Sequence, residues 1–393
     1  MDVNLSSLPP SSDLNDKTPI RVMVVDDSSV VRGLITRAIE GNPQIQVVAS
    51  VSDGQMAINT FQRTPVDVII LDIEMPIMDG ITALPKLLAI DPAVRIIVAS
   101  TLSIKNADIS LRALSLGAAD YIPKPTAREI SGALSFKDDL INKIIAYAQA
   151  AHKAGVRRPP NEPARAPILD KTTKSSMIPP AAATRRPDAN AQLTLRPASF
   201  SKPDLIAIGS STGGPQALFS VIKSLGNIQQ PVIITQHMPP SFTTILAEHI
   251  SRQCGVTCVE ARNGMELEGG VYYIAAGDYH LILKPQATRP LITLTQDPPE
   301  NFCRPAVDPM LRSAVAIYGK KILTIILTGM GQDGWKGCEK IVEAGGAVIA
   351  QDEATSVVWG MPAAVARAGL CSAILPLDEI GLYARRVAQG ASA

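Results

Sequence analysis

Two groups of residues have the types and spacing of reactive centres. In the N-terminal third, Asp26 and Asp27 follow the apolar run IRVMVV and Asp72 ends VIILD. Ser100 and Thr101 close RIIVA, and Lys124 stands before Pro125 after DYIP. Carboxylates gathered at one place repel each other and want a cation, and hard oxygen ligands suit Mg²⁺ with several waters retained. A hydroxyl and an ammonium beside them can stabilise the oxygens of a phosphoryl group carried on a carboxylate. In the C-terminal half, Gly209-Ser210-Ser211-Thr212-Gly213 fits the G-x-S-x-G elbow. There a sharp strand-to-helix turn exposes one hydroxyl above a sheet. The helix behind it offers a positive dipole end and free N–H groups. No Lys follows these glycines, as a phosphate-binding loop requires, and the dinucleotide pattern G-x-G-x-x-G is absent here.

A serine nucleophile needs a base. His152 abuts a Pro-rich stretch, and His249 lies within the helical pattern LAEHISR. His280 sits in a hairpin-like segment near Asp278, whereas His237 directly ends the apolar run PVIITQ. His237 is thus the best-placed base and His280 the second. The acid that orients the imidazole is expected at Asp333, in the Gly-rich turn after KILTIIL, with Asp308 and Asp352 as rivals. Glycines 329, 331 and 334 let backbone N–H groups approach a ligand closely, which makes the Met330 amide a candidate oxyanion donor. The five cysteines, Cys254, Cys258, Cys303, Cys338 and Cys371, have neither disulfide nor zinc spacing. They read as small buried hydrophobes with no base beside them, dispensable to the chemistry.

Such residues converge only if strands deliver them to one edge. From 20 to about 125, five β-branched runs alternate with helical patterns, and a helix is expected over 137–152. That rhythm means a doubly wound α/β sheet, in which the carboxyl ends of the strands share an edge. It resumes at 203 with DLIAIG, PVIITQH, KILTIILTG and AVIAQ as strands. Helices are expected at 215–225, 240–252, 307–318, 335–344 and 361–368, and VYYIAAGDYHLILK with PLITLTQ as an antiparallel addition. Between 151 and 200 stand eight prolines and nine basic residues against three acidic ones. Such a stretch buries too little apolar area to offset its ordering entropy and reads as a linker.

Over all 393 residues, 37 basic side chains balance 36 acidic ones, which argues against a dedicated nucleic-acid binder. No apolar run reaches the roughly 20 residues of a membrane span, and MDVNLSSLPPSS is no signal peptide. A cytoplasmic protein, not inserted in a membrane, is expected.

The DD pair, the D-I-E-M-P turn, the downstream hydroxyl and the K-P pair stand in the order and spacing of a family. Residues 20–150 resemble the receiver domain of two-component response regulators. The resemblance implies Asp72 as phosphoacceptor, and Mg²⁺ held by Asp26, Asp27, Asp72 and the backbone carbonyl of Glu74. It also implies Ser100 (or its neighbour Thr101) as phosphate-sensing hydroxyl, Lys124 as phosphate partner and Tyr121 as the mobile aromatic. The Ser…His…Asp order departs from the α/β-hydrolase order. G-S-S-T-G-G, T-Q-H-M-P, R-P-A-V-D and L-T-G-M-G-Q-D-G instead resemble the chemotaxis protein-glutamate methylesterase (CheB) family. That resemblance implies Ser211 as nucleophile, His237 as base, Asp333 as acid, Thr212 lining the site and Met330 at the oxyanion hole.

The expected fold is therefore two doubly wound parallel-sheet α/β domains, a flavodoxin-like receiver and a Rossmann-like methylesterase domain. The expected division is a tail (1–18), receiver (19–152), linker (153–200) and catalytic domain (201–393). The family implies hydrolysis of glutamyl methyl esters, and deamidation of selected glutamines, on chemoreceptors, with no cofactor for the esterase step. A histidine kinase would supply the phosphoryl group, and the unphosphorylated receiver would cover the site. A regulator with a transcriptional output and an esterase for small molecules are the rivals; the first lacks a helix-turn-helix signature in its output half.

Overall fold

The computed structural model describes residues 18–101, 103–124, 134–153, 193–197 and 202–390. The expected tail up to residue 17, Pro125 and nearly all of the 153–200 linker lie outside the described residues. The side chain of His152 is also outside them.

The first sheet comprises β1 (Ile20–Val25), β2 (Ile45–Val51), β3 (Val68–Asp72), β4 (Arg95–Ser100) and β5 (Asp120–Pro123). All neighbours pair in parallel, in the order β2-β1-β3-β4-β5. Every residue of β3 is buried, as the continuous apolar run predicts for a strand covered on both faces. The covering helices are α1 (Ser29–Glu40), α2 (Gly54–Phe61), α3 (Gly80–Ile90), α4 (Ile104–Ser115) and α5 (Leu134–Lys153). Ser28, Asp53, Asp79 and Ser103 cap the first four by accepting backbone N–H groups. Each such cap contributes about 1 kcal/mol. The caps fix where the helices begin on the carboxyl side of the strands, and the polar residues stay at that edge.

The second half contains β6 (Leu205–Ser210), α6 (Gly214–Leu225), β7 (Val232–Gln236), α7 (Phe242–Cys254), β8 (Thr257–Glu260) and β9 (Val271–Ile274). A hairpin, β10 (His280–Lys284) and β11 (Leu291–Thr295), precedes α8 (Val307–Tyr318), β12 (Ile322–Ile326) and α9 (Trp335–Glu343). The chain ends in β13 (Ala347–Gln351), α10 (Met361–Arg367), β14 (Ala373–Leu375) and α11 (Leu377–Ala388). Seven strands form one parallel sheet in the order β14-β13-β12-β6-β7-β9-β8.

The expected antiparallel addition is only half right. Val271–Ile274 joins the main sheet in parallel beside β7, and only β10 and β11 pair antiparallel, as a separate sheet. The turn AAGD ends β9, so the alternation that follows belongs to a new hairpin. Strands β8 and β14 and helix α11 were not anticipated. The strands are short and only half-buried, so they carry no continuous apolar run.

The two sheets share buried surface. Leu111 and Tyr121 lie in one apolar cluster with Phe242, Ile245 and Leu246, and α4 packs against α7. The Tyr121 and Phe242 rings stack with centroids 4.5 Å apart and planes 14° apart. Gln216, in the first turns of α6, donates to the carbonyls of Ala118 and Ala119 at 3.2 and 2.9 Å. Buried His249, on α7, bonds Asp108 at 2.8 Å.

Candidate active site and phosphoacceptor site

Strands β12, β6 and β7 are neighbours, and strand order reverses between β6 and β12. Crevices at such reversals are where open α/β sheets bind ligands. Ser211 follows β6, His237 follows β7 and Asp333 lies in the turn between β12 and α9, so all three candidates reach this crevice. His237 Nε2 is 2.7 Å from Asp333 Oδ2, with the His237 side chain 12% exposed. Asp333 also accepts the backbone N–H groups of Val307, Asp308 and Gly334. Burial alone would raise this carboxyl; the bonds from His237 and the backbone outweigh it and hold Asp333 below its ordinary range.

The elbow is clamped on both sides. Ser211 N–H donates to the Thr328 carbonyl at 3.0 Å. Gln236, which the sequence reading passed over, accepts the Ser210 hydroxyl at 2.7 Å. Its amide donates to the carbonyls of Ser211 and His237 at 3.0 and 3.1 Å, tying the end of β6 to the end of β7. Gly213 caps α6 at φ 75°, a conformation that favours glycine. A Cβ at Gly329 would meet the Ser211 Cβ at 2.8 Å, so that glycine is needed for close approach. Buried Thr212 lines the cavity, and half-buried Met330 follows Gly329 in the turn.

The rival residues have other tasks. His280 accepts from Ala306 N–H at 3.1 Å and lies 3.2 Å from the Pro298 carbonyl. Asp352 bonds Thr355. Asp308 sits behind Asp333; Asn301 donates to both carboxylates, at 3.1 and 3.0 Å. Burial and the Asp333 charge push the Asp308 carboxyl up, despite the Gly337 N–H.

One expectation fails. Cys303 Sγ lies 3.3 Å from His237 Nδ1, so a cysteine does sit beside the base. Sequence spacing could not reveal this, because Cys303 arrives on the turn before α8 and not at a strand end. That turn is closed by reciprocal backbone bonds between Glu300 and Cys303. Burial draws the His237 pKa down, but Asp333 and Cys303 together outweigh it and lift it to about 10. The Ser211, Thr212, His237 and Cys303 side opens on a cavity of about 460 Å³, whose opposite wall is Tyr121, Phe136, Asp139 and Lys143. The first domain therefore roofs the candidate active site.

At the carboxyl edge of the first sheet, Asp26, Asp27 and Asp72 each offer an oxygen within 4.8 Å of the others. Lys124 Nζ is 2.8 Å from Asp26 and 2.8 Å from Asp72. Burial lifts the Asp72 carboxyl to about 6; Lys124 works against this and the Asp26 charge adds to it. Such clustered hard donors fit Mg²⁺. The exposed Glu74 carboxylate pairs with Lys105 at 3.1 Å. Ser100 is buried at the end of β4, its hydroxyl on the carbonyls of Thr101 and Asn106; Thr101 is exposed and accepts from Asn106. Tyr121 is buried against the second domain.

The chain matches the CheB methylesterase family over residues 206–383 and the response regulator receiver domain over residues 22–134. It is 59% identical to a protein-glutamate methylesterase/protein-glutamine glutaminase of Rhodospirillum centenum, over 94% of each chain. It is 58% identical to the protein of the same name from Azospirillum brasilense, over 95% of this chain and 94% of that one. Among solved structures, the Thermotoga maritima CheB methylesterase catalytic domain is 41% identical, with TM-score 0.46 over 48% of this chain and 100% of that one.

Proposed function

Because the chain belongs to the CheB-type protein-glutamate methylesterase/protein-glutamine glutaminase family, we propose that Ser211, His237 and Asp333 are the residues that carry its hydrolysis. The enzyme is a carboxylic ester hydrolase with deamidase activity, governed by a receiver domain that takes a phosphoryl group in a Mg²⁺-dependent reaction. It acts in chemotaxis, on glutamyl methyl esters and glutamines of methyl-accepting receptors. A receptor-coupled histidine kinase, meeting the enzyme in the cytoplasm, is the phosphodonor we expect. Among the described residues no helix is long and apolar enough to cross a membrane.

In the proposed reaction His237 Nδ1 takes the Ser211 proton as Oγ bonds the ester carbonyl carbon. The Met330 amide and the first turn of α6 stabilise the oxyanion, and Thr212 shapes the wall. The C–OCH₃ bond then breaks and methanol leaves with the proton from His237. Water, deprotonated by His237, releases the glutamate. For a glutamine, ammonia leaves instead and the steps are otherwise the same. No cofactor is needed in this sequence. At the other site Asp72 accepts the phosphoryl group, with Lys124 and Ser100 engaging its oxygens. Asp26, Asp27, Asp72 and the Glu74 carbonyl would hold Mg²⁺, which supplies charge neutralisation when bound.

The observation that carries this reading is the His237–Asp333 bond at 2.7 Å in the cavity that Ser211 lines. Methanol release from methylated receptor membranes tests it. Ser211→Ala is expected to lose at least about a thousandfold, with unchanged thermal unfolding. Activity within tenfold of wild type would make Ser211 the wrong nucleophile.

A further inference from the structure

We propose that Cys303 is a positioning residue that holds the imidazole of His237 off Ser211 in the receiver-covered arrangement. The proposal rests on the serine reading given above. Each ring nitrogen of histidine makes one directed hydrogen bond. Nε2 is committed to Asp333 at 2.7 Å. Asp333 already accepts the Val307, Asp308 and Gly334 N–H groups as a carboxylate, so Nε2 carries the proton. Only Nδ1 remains to take the Ser211 proton, and its partner is Cys303 Sγ at 3.3 Å. A thiol donates to the neutral ring; an imidazolium donates to the sulfur. In either state the position that serine needs is filled. Ser211 and Cys303 line the same cavity, so they compete for one nitrogen.

The turn that presents the thiol is held in place against its own backbone preference. Asn301 and Phe302 adopt φ of 50° and 63°, a region that asparagine tolerates but that a bulky Phe keeps only where surroundings impose it. The Asn301 amide fastens the turn to Asp308 and Asp333, the latter being the carboxylate that grips His237 from its other nitrogen. Acid and thiol thereby fix the ring between them.

The charge around the ring gives the proposal a pH signature. His237 faces Asp333 and Cys303 directly, with Asp308 behind Asn301. Arg304, and Asp120, Asp139 and Lys143 from the first domain, line the same cavity. Asp333 and Cys303 hold His237 protonated to high pH against the effect of burial. Removing the thiol removes one of the two partners that raise the pKa, so the ring becomes a neutral, free base at lower pH.

The test uses the full unphosphorylated chain and a fluorophosphonate that labels activated serines. Its labelling rate is followed from acid to alkaline pH and the adduct is mapped by mass spectrometry. Cys303→Ala is expected to label Ser211 about three- to tenfold faster at neutral pH, the worth of one ordinary hydrogen bond. Its acid limb should move to lower pH. Cys303→Ser keeps a hydrogen-bonding partner for Nδ1 but loses the sulfur among the groups that raise the ring's pKa, so its rate should fall between the two while its acid limb also moves down. If the acid limb stays in place in either folded variant, or Ser211 in Cys303→Ala labels no faster, the proposal is wrong. An adduct on Cys303 in the wild-type chain, with Ser211 free, would instead overturn the serine reading itself.

Discussion

At the scale of single residues, the chemistry turns on His237, whose ring nitrogens face Asp333 and Cys303. Asp26, Asp72, Ser211 and His237 stand at or just beyond the ends of buried strands, where a parallel sheet must gather them. Cys303 and Asn301 carry no such mark, since an irregular turn decides where they reach, and Gln236 ends β7 but acts through a side-chain amide whose partners only the fold shows. Alkylating Cys303 would obstruct Nδ1 whatever the nucleophile, so loss of turnover on alkylation does not identify a cysteine mechanism. Ser210, the neighbouring serine of the elbow, is tied into the fold rather than placed for the chemistry. Its hydroxyl bonds Gln236, and Ser210→Ala should lose about 1 kcal/mol of stability while keeping activity within about tenfold. Asp72 gives a pH-dependent prediction. Its folded pKa of about 6 is raised, so the fold favours the protonated form. The stability from that preference is full at acid pH and is lost as pH rises through about 6. Asn resembles the neutral acid. Without Mg²⁺, Asp72→Asn should be more stable than wild type at pH 8 by about 1–3 kcal/mol, an advantage that vanishes as pH falls toward about 4. Equal denaturant midpoints at pH 8 would contradict the stated cause, burial of an anion beside Asp26.

At the scale of elements, β6, β7 and β12 were legible because each is a continuous buried run ended by a polar or glycine-rich turn. The short half-buried strands were not, and the hairpin was extended too far toward β9 because alternation alone does not tell a sheet edge from a separate ribbon. The elements also set how closely the elbow and the β12–α9 turn approach. Gly329 has no room for a side chain, since its Cβ would meet Ser211 Cβ at 2.8 Å and Ser211 N at 3.0 Å. Gly329→Ala is thus expected to displace Ser211 and lower hydrolysis by about a hundredfold or more, as small misplacements of reacting groups do. Wild-type turnover in this variant would show that the elbow does not need that contact.

At the scale of the whole molecule, the roof over the cavity was an expectation drawn from family resemblance; the contacts that build it are visible only in three dimensions. Among the described residues the polar and aromatic ones include the Tyr121–Phe242 stack, the Gln216 amide on two carbonyls, His249 with Asp108 and Gln253 with Ser115, beside the apolar packing of α4 on α7. An aromatic pair contributes about 0.5–1.5 kcal/mol beyond burial, and a single side-chain hydrogen bond about 0.5–1.5 kcal/mol. A bias of ~3 kcal/mol changes an open fraction about a hundredfold, so contacts of this size can be overcome by a change at Asp72. Gln216→Glu sets a carboxylate against the Ala118 and Ala119 carbonyls and should raise receptor demethylation by the unphosphorylated chain several-fold; unchanged basal turnover would mean that this contact does not hold the roof. A fragment beginning near residue 202 should likewise be active with no phosphodonor. The most direct measurement of the account is methanol release from methylated receptor membranes by the full chain, with and without a small-molecule phosphodonor and Mg²⁺. Slow release at rest, strong stimulation by the phosphodonor and no stimulation in Asp72→Asn are expected. Equal release under both conditions, or full stimulation of Asp72→Asn, would contradict a receiver that covers Ser211 until Asp72 is phosphorylated.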